Sequence, residues 1–120
     1  MVVEDYKDVA DMMDAMIRML GHRASVAGTI AAAVENASKE SFDLFLVDHK
    51  LPDGTGGDIL KRIPSPERPR AVLLTAFDEA SLAPAMKEGF SLVLRKPVDL
   101  NVLESLLAAR RDEPRASDSH

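Results

Sequence analysis

Residues 42–54 have the sequence FDLFLVDHKLPDG, in which an apolar run ends at an acidic residue and turn-forming residues follow. Such a run, over residues 42–47, is typical of a β-strand that is buried on both faces. Asp48 ends this strand, and the abundance of Pro, Asp and Gly from there to Gly57 predicts a loop. Strands covered on both faces belong to parallel sheets with helices on each side, so this segment predicts an α/β fold.

Strand-like and helix-like patterns also alternate before this segment. Residues 1–3 form a short apolar run that predicts the end of a strand. Apolar residues then recur at helical spacing between residues 9 and 20, and Gly21 follows where a helix commonly ends. Residues 22–27 predict a short strand, and Thr29 is placed to cap a second helix.

The same alternation continues towards the C-terminus. A short helix is predicted over residues 58–63 and a buried strand over residues 71–75. Asp78 is placed to start the next helix, residues 92–94 form a further apolar strand, and Asp99 is placed to cap a last helix. Five strands alternating with five helices predict a doubly wound parallel sheet with right-handed crossovers.

Composition limits the function classes. The chain has 120 residues, which fits one domain by the rough prior of 100–200 residues. Lys and Arg number 15 and Asp and Glu number 20, so the formal net charge is −5. This balance and the 4% of aromatic residues argue against direct binding to nucleic acid or anionic membranes. No run approaches the roughly 20 apolar residues that span a bilayer.

The chain contains no cysteine, which excludes disulfides, Cys-ligated metals and thiol nucleophiles. With an N-terminus unlike a signal peptide, this predicts a cytoplasmic protein. Residues 111–120 are polar and have no periodicity. We therefore expect residues 1–110 to form the domain, and residues 111–120 to be a tail or a truncated linker.

Polar side chains follow the predicted strands at their carboxyl ends. Glu4 and Asp5 follow the first strand, Asp48 follows the third, Thr75 ends the fourth and Lys96 follows the fifth. We expect them to meet, because the functional crevice of an open parallel sheet lies at this edge. A hard cation such as Mg²⁺ would relieve the repulsion among three carboxylates. The hydroxyl and the ammonium group can bind a phosphoryl group, so the set predicts phosphoryl transfer to a carboxylate.

Four short motifs resemble the receiver domain of two-component response regulators, which is also found in hybrid histidine kinases. They are VVED at residues 2–5, LVDHKLP at residues 46–52, LLTA at residues 73–76 and RKP at residues 95–97. The resemblance covers residues 1–110 and implies a flavodoxin-like sheet with strand order 2-1-3-4-5 and five helices. It implies a signalling module that assists its own phosphotransfer and autodephosphorylation and is not an enzyme. Any kinase activity would lie in a fused domain.

The resemblance implies roles for the acidic residues. Asp48 matches the phosphoacceptor, which takes a phosphoryl group from a partner's phosphohistidine. Asp5 matches a direct ligand of Mg²⁺, and Glu4 matches its water-mediated neighbour. Asp48 itself and the backbone carbonyl of Lys50 would complete the metal site.

The resemblance also implies how the phosphoryl group is bound and how it signals. Thr75 matches the hydroxyl that moves onto this group, Ala76 the small residue beside it, and Lys96 the cation that pairs with it. The bond before Pro97 is commonly cis in the family. Phosphorylation would favour a state in which the threonine turns inward. The family often has an aromatic switch residue at the position of Val93, so an inward-turning ring cannot carry the signal there.

The partners implied are a histidine kinase or a histidine phosphotransfer protein, docking near the Asp48 loop and the first helix. A homodimer through the last helix, strand and helix segment is a further option.

The residues themselves leave alternative functions open. A Mg²⁺ phosphohydrolase commonly has a second acid two residues after its nucleophile, where this chain has Lys50. A flavin- or nucleotide-binding protein would need a phosphate-binding loop after the first strand, where residues 4–7 read EDYK. A pseudo-receiver, used only as an interaction module, would not need the intact acids, threonine and lysine.

Overall fold

Five strands form one parallel sheet, and their order across it is Val26–Ala27, Val2–Val3, Leu44–Asp48, Arg70–Thr75 and Leu92–Arg95. The computed structural model describes residues 1–63, 69–76, 87–96 and 98–108. The strands of this sheet, in chain order, are β1 (Val2–Val3), β2 (Val26–Ala27), β3 (Leu44–Asp48), β6 (Arg70–Thr75) and β7 (Leu92–Arg95). Counted along the chain, this is the order 2-1-3-4-5, which confirms the predicted topology.

The helices occupy the predicted places between the strands. They are α1 (Lys7–Met19), α2 (Ile30–Lys39) and α3 (Gly57–Arg62), and residues 100–108 are also helical. The helix predicted to start at Asp78 lies largely outside the described residues, of which only residues 87–88 are helical there. None of the described helices is long and apolar enough to cross a bilayer.

Local hydrogen bonds begin two of the helices where the sequence predicts. The Thr29 hydroxyl accepts a hydrogen bond from the Ala32 amide at 3.0 Å, and Asp99 accepts one from the Val102 amide at 2.8 Å. Each bond satisfies an amide that the first turn of a helix leaves without a partner. Just after the C-terminal end of α1, Gly21 has a φ of 89°, a left-handed conformation that glycine adopts without strain.

The predicted loop between Asp48 and Gly57 is partly a small antiparallel hairpin. Its strands are β4 (Lys50–Leu51) and β5 (Gly54–Thr55), and Lys50 pairs with Thr55. Two-residue strands are too short for the alternation that identifies a strand in a sequence, which requires about four residues. The hairpin is therefore visible only in the structure.

The two faces of the sheet carry separate apolar clusters. From β3, Phe45 and Val47 pack on the face that α2 and α3 cover, with Ile30 and Ile59. The opposite face holds the alternate residues of this strand, Leu44 and Leu46. Their partners there include Met13, Ile17, Leu103, Leu106 and Leu107. Burying such side chains contributes about 1.5–3 kcal/mol each, and burial on both faces makes the sheet a fixed platform for its carboxyl edge.

Candidate functional site

Four of the predicted site residues lie at the ends of strands, along the carboxyl edge of the sheet. Glu4 directly follows β1, Asp48 ends β3, Thr75 ends β6, and Lys96 directly follows β7. The sheet pairing extends to the site itself, because the Lys96 amide donates a hydrogen bond to the Thr75 carbonyl at 3.0 Å. The positions of these side chains are therefore set by the strand register.

Three carboxylates form a cluster at this edge. Glu4, Asp5 and Asp48 each present an oxygen atom, and these atoms all lie within 4.8 Å of one another. Glu4 is only 2% exposed and Asp48 only 8%, whereas Asp5 is exposed. Two of the charges are thus shielded from water, and the third opens the cluster to solvent.

Lys96 bridges the two buried carboxylates. Its Nζ atom lies 3.1 Å from Glu4 Oε2 and 3.1 Å from Asp48 Oδ1. Among the described residues, the ion pairs of this cluster involve one ammonium group and two of the three carboxylates, so negative charge is in excess when all three acids are ionised. An oxygen-only set of this kind fits a hard divalent cation such as Mg²⁺.

Lys96 offsets the burial of Glu4 only in part. Burial raises the pKa of Glu4 above its ordinary value of 4.5, and the opposing hydrogen bonds from Lys96 and the Tyr6 amide do not cancel this effect. Burial acts to lower the pKa of Lys96, but hydrogen bonds to Asp48 and Glu4 outweigh it and raise that pKa above 10.5. The lysine is therefore charged at neutral pH, and a further cation would stabilise the ionised form of Glu4.

The other predicted site residues lie at different depths. Thr75 is 1% exposed, Ala76 is exposed, and Lys50 lies in β4 with an exposed side chain. Val93 pairs with Leu73 in the sheet and is half-buried against the apolar cluster that contains Phe45. Pro97, and with it the predicted cis bond, lies outside the described residues.

Gly56 is a structural requirement of the site that the sequence did not single out. A Cβ atom at this position would lie 2.7 Å from the Asp48 carbonyl oxygen and 2.8 Å from Val47 Cγ1. Neither contact is tolerable without a shift of the surrounding atoms, so only glycine fits beneath the main chain of Asp48. The sequence shows a glycine-rich segment here but does not indicate which glycine makes the close approach.

Known proteins are similar to this chain in sequence. The family model of the response regulator receiver domain matches residues 1–108. The response regulator protein PilR of Pseudomonas aeruginosa is 32% identical over 99% of this chain, and the aerobic respiration control sensor protein ArcB of Escherichia coli is 32% identical over 89% of it. The chain corresponds to 28% of the length of PilR and 14% of that of ArcB.

A solved structure agrees with this relationship. A response regulator receiver domain (CheY-like) from Methylobacillus flagellatus superposes with a TM-score of 0.82 and 28% identity, covering 91% of this chain and 94% of that one. The acidic cluster and its lysine lie at the carboxyl edge of a sheet with the predicted strand order. The chain belongs to the family of response regulator receiver domains.

Proposed function

We propose that Asp48 is the phosphoacceptor of a two-component phosphorelay. The observation that carries the proposal is the Lys96 ammonium group, held 3.1 Å from Asp48 Oδ1 within a cluster of three carboxylates. A carboxylate oxygen of Asp48 would attack the phosphorus atom of a phosphohistidine. The P–N bond breaks as the new P–O bond forms, and the leaving imidazole takes up a proton.

The neighbouring side chains would bind the transferred group. Lys96 is charged and already contacts Asp48, so it can pair with a phosphoryl oxygen without a large movement. Thr75 ends the adjacent strand and can donate a hydrogen bond to the same group. Ala76, the next residue, has a side chain small enough to leave room for that group.

The acidic residues would hold a metal ion. Glu4, Asp5 and Asp48, together with the backbone carbonyl of Lys50, would hold Mg²⁺, which when bound supplies charge neutralisation for the phosphoryl oxygens. The burial that raises the pKa of Glu4 favours this assignment, because the carboxylate has lost water that a cation would replace. The exposed Asp5 leaves a route from solvent.

Phosphorylation would signal through a shift between two conformations of the β6–β7 edge. Thr75 would turn towards the phosphoryl group, and its neighbour in the sheet is Arg95 of β7. Val93, two residues earlier on β7, is half-buried and offers a smaller side chain than the aromatic residue common in the family. The rearrangement would therefore depend on aliphatic packing.

The donor would be a histidine kinase or a histidine phosphotransfer protein. PilR is a response regulator and ArcB a sensor protein, so relatives of this chain occur in both kinds of signalling protein. We assign the receiver to residues 1–110 and the polar segment 111–120 to a tail or linker. The described part of this domain ends at residue 108.

The test is the intact mass after incubation with acetyl phosphate, with and without Mg²⁺. We expect a gain of one phosphoryl group that requires Mg²⁺ and is absent from Asp48→Asn. Asn keeps the size of the side chain and one oxygen atom, so the control removes the nucleophile with little change in packing. No mass gain under conditions that label a known receiver would contradict the proposal, as would an equal gain in the variant.

A further inference from the structure

The hairpin that follows Asp48 is tied to a distant helix by one side chain. Asp53 lies between β4 and β5, and its Oδ1 atom accepts a hydrogen bond from the Ile30 amide at 2.9 Å. Its Oδ2 atom accepts a second one from the Ala31 amide at 3.1 Å. The carboxylate thus binds the first two amides of α2 at once, and these bonds, chiefly that from Ile30, lower the pKa of Asp53.

The start of α2 is therefore stabilised from two different parts of the chain. Thr29 is the local contributor, since its hydroxyl accepts from the Ala32 amide and its carbonyl from the Ala33 amide. Asp53, which is 23 residues from Ile30 in the sequence, satisfies the remaining two amides. Thr29 caps the helix locally, whereas the two bonds to Asp53 join α2 to the hairpin.

Next to Asp53, the main chain at Gly54 closely approaches both α2 and Asp58 of α3. A Cβ atom on Gly54 would lie 2.8 Å from Ile30 Cδ1, and the residue has a φ of 149°. The hairpin tip is thus seated on the Ile30 side chain while Asp53 binds the Ile30 amide. Each strand of the hairpin has only two residues, so its position depends on contacts outside it. These are the contacts with α2, the bond from the Thr55 amide to Asp58 and the burial of Leu51 in the core.

We propose that Asp53 is a positioning residue for the cation site. Its two bonds to α2 would hold the hairpin and, through it, the main chain of Lys50, whose carbonyl would be a ligand of the metal. This inference rests on the proposed function, because it assigns Asp53 a role in that same site. Asp53 itself contacts neither the metal nor the phosphoryl group.

The test compares the Mg²⁺ dissociation constant of the wild type with those of Asp53→Ala and Thr29→Ala, using Mg²⁺ alone. Both variants remove caps from the same helix, but only Asp53→Ala releases the hairpin. Tyr6 directly follows Glu4 and Asp5 in a chain that has no other tyrosine and no tryptophan, so its fluorescence is one readout of Mg²⁺ binding. Calorimetric titration is the second readout, and circular dichroism verifies that each variant is folded.

We expect Asp53→Ala to raise the Mg²⁺ dissociation constant about tenfold, which is the lower end of the effect of removing a residue that orients a metal ligand. Thr29→Ala should change it by less than about twofold, since its effect is confined to α2. Asp53→Asn keeps one acceptor oxygen without the charge, so an intermediate value is expected. Raising Mg²⁺ to saturation should return the rate of phosphorylation by acetyl phosphate in Asp53→Ala to near that of the wild type.

Two results would overturn the positioning role. An unchanged dissociation constant in both Asp53 variants would show that the hairpin holds its position without this contact. Equal increases in Asp53→Ala and Thr29→Ala would show that the stability of α2 alone matters. A wild type that binds no Mg²⁺ would instead overturn the metal site of the proposed function, and the role of Asp53 with it, so the two failures are distinguishable.

Discussion

Asp48 and Asp53 belong to the same short segment but have opposite environments. Asp48 is 8% exposed and meets the charged side chain of Lys96, in a cluster with two further acids. Asp53 is exposed and accepts hydrogen bonds from two main-chain amides at the start of α2. A carboxylate among side-chain charges is available to react and to bind a cation. A carboxylate that caps a helix fixes the position of the chain that carries it.

The largest expected effect separates the two acids by function. Asp48→Asn should abolish phosphorylation by acetyl phosphate, because the amide is not a nucleophile. Asp53→Asn should still be phosphorylated at saturating Mg²⁺. Phosphorylated and unmodified protein are separated on phosphate-affinity gels. A loss of labelling in both variants at saturating Mg²⁺ would remove the distinction.

Removing the Lys96 ammonium group, which Glu4 and Asp48 share, should reveal how far these buried acids destabilise the fold without it. Lys96→Ala leaves Glu4 and Asp48 without their counter-charge, and we expect a loss of about 2 kcal/mol of unfolding free energy without metal, below the range for fully buried pairs because the lysine is partly exposed. Adding Mg²⁺ should recover part of this loss. Urea denaturation with and without Mg²⁺ measures both.

The matched control for that variant is Lys7→Ala. Lys7 forms an ion pair with Asp11 at 3.0 Å on the surface of α1, where both side chains are mostly exposed. Exposed ion pairs of this kind contribute little to stability, so we expect no measurable change in the free energy of unfolding. Equal losses in the two lysine variants would contradict the argument that burial makes the Lys96 contacts costly to break.

Gly56→Ala tests the packing beneath Asp48. The added methyl group would collide with the Asp48 carbonyl and with Val47. We expect the free energy of unfolding to fall by about 2 kcal/mol, as in other overpacked sites. Gly28→Ala is the control, since a Cβ atom there meets nothing within 4 Å, and it should change stability by less than about 0.5 kcal/mol. Thermal unfolding compares the two, and similar midpoints would show that the loop yields easily.

The smallest expected effect is the pH dependence of the Asp53 cap. The hydrogen bonds lower the pKa of Asp53 below its ordinary value of 3.8, so the folded state prefers the ionised carboxylate. Its contribution to stability is therefore complete above about pH 3.8 and is lost as the pH falls through the lower pKa of the folded state.

The difference in unfolding free energy between wild type and Asp53→Asn measures that contribution. It should be constant from neutral pH down to about 3.8 and should shrink below that value. A difference that already shrinks between pH 7 and pH 5 would point to another titrating group and would contradict the assignment to Asp53.

Much of the fold follows from local patterns. Thr29 and Asp99 cap helices through bonds to amides three residues away, and such contacts depend only on the geometry of one helical turn. The alternation of strands and helices, with polar residues at the strand ends, predicts a parallel sheet and a site at its carboxyl edge. The resemblance to receiver domains, carried by four short motifs, supplies the strand order.

Only the tertiary structure decided which atoms meet. The bonds from Lys96 to Glu4 and Asp48 join residues 92 and 48 positions apart, and that from Ile30 to Asp53 joins residues 23 apart. No periodicity encodes these distances, because they result from the packing of both faces of the sheet at once. The sequence by itself therefore determined the fold class and the chemical types at the site. The three-dimensional packing determined that one lysine joins two buried acids and that an exposed acid ties the hairpin to α2.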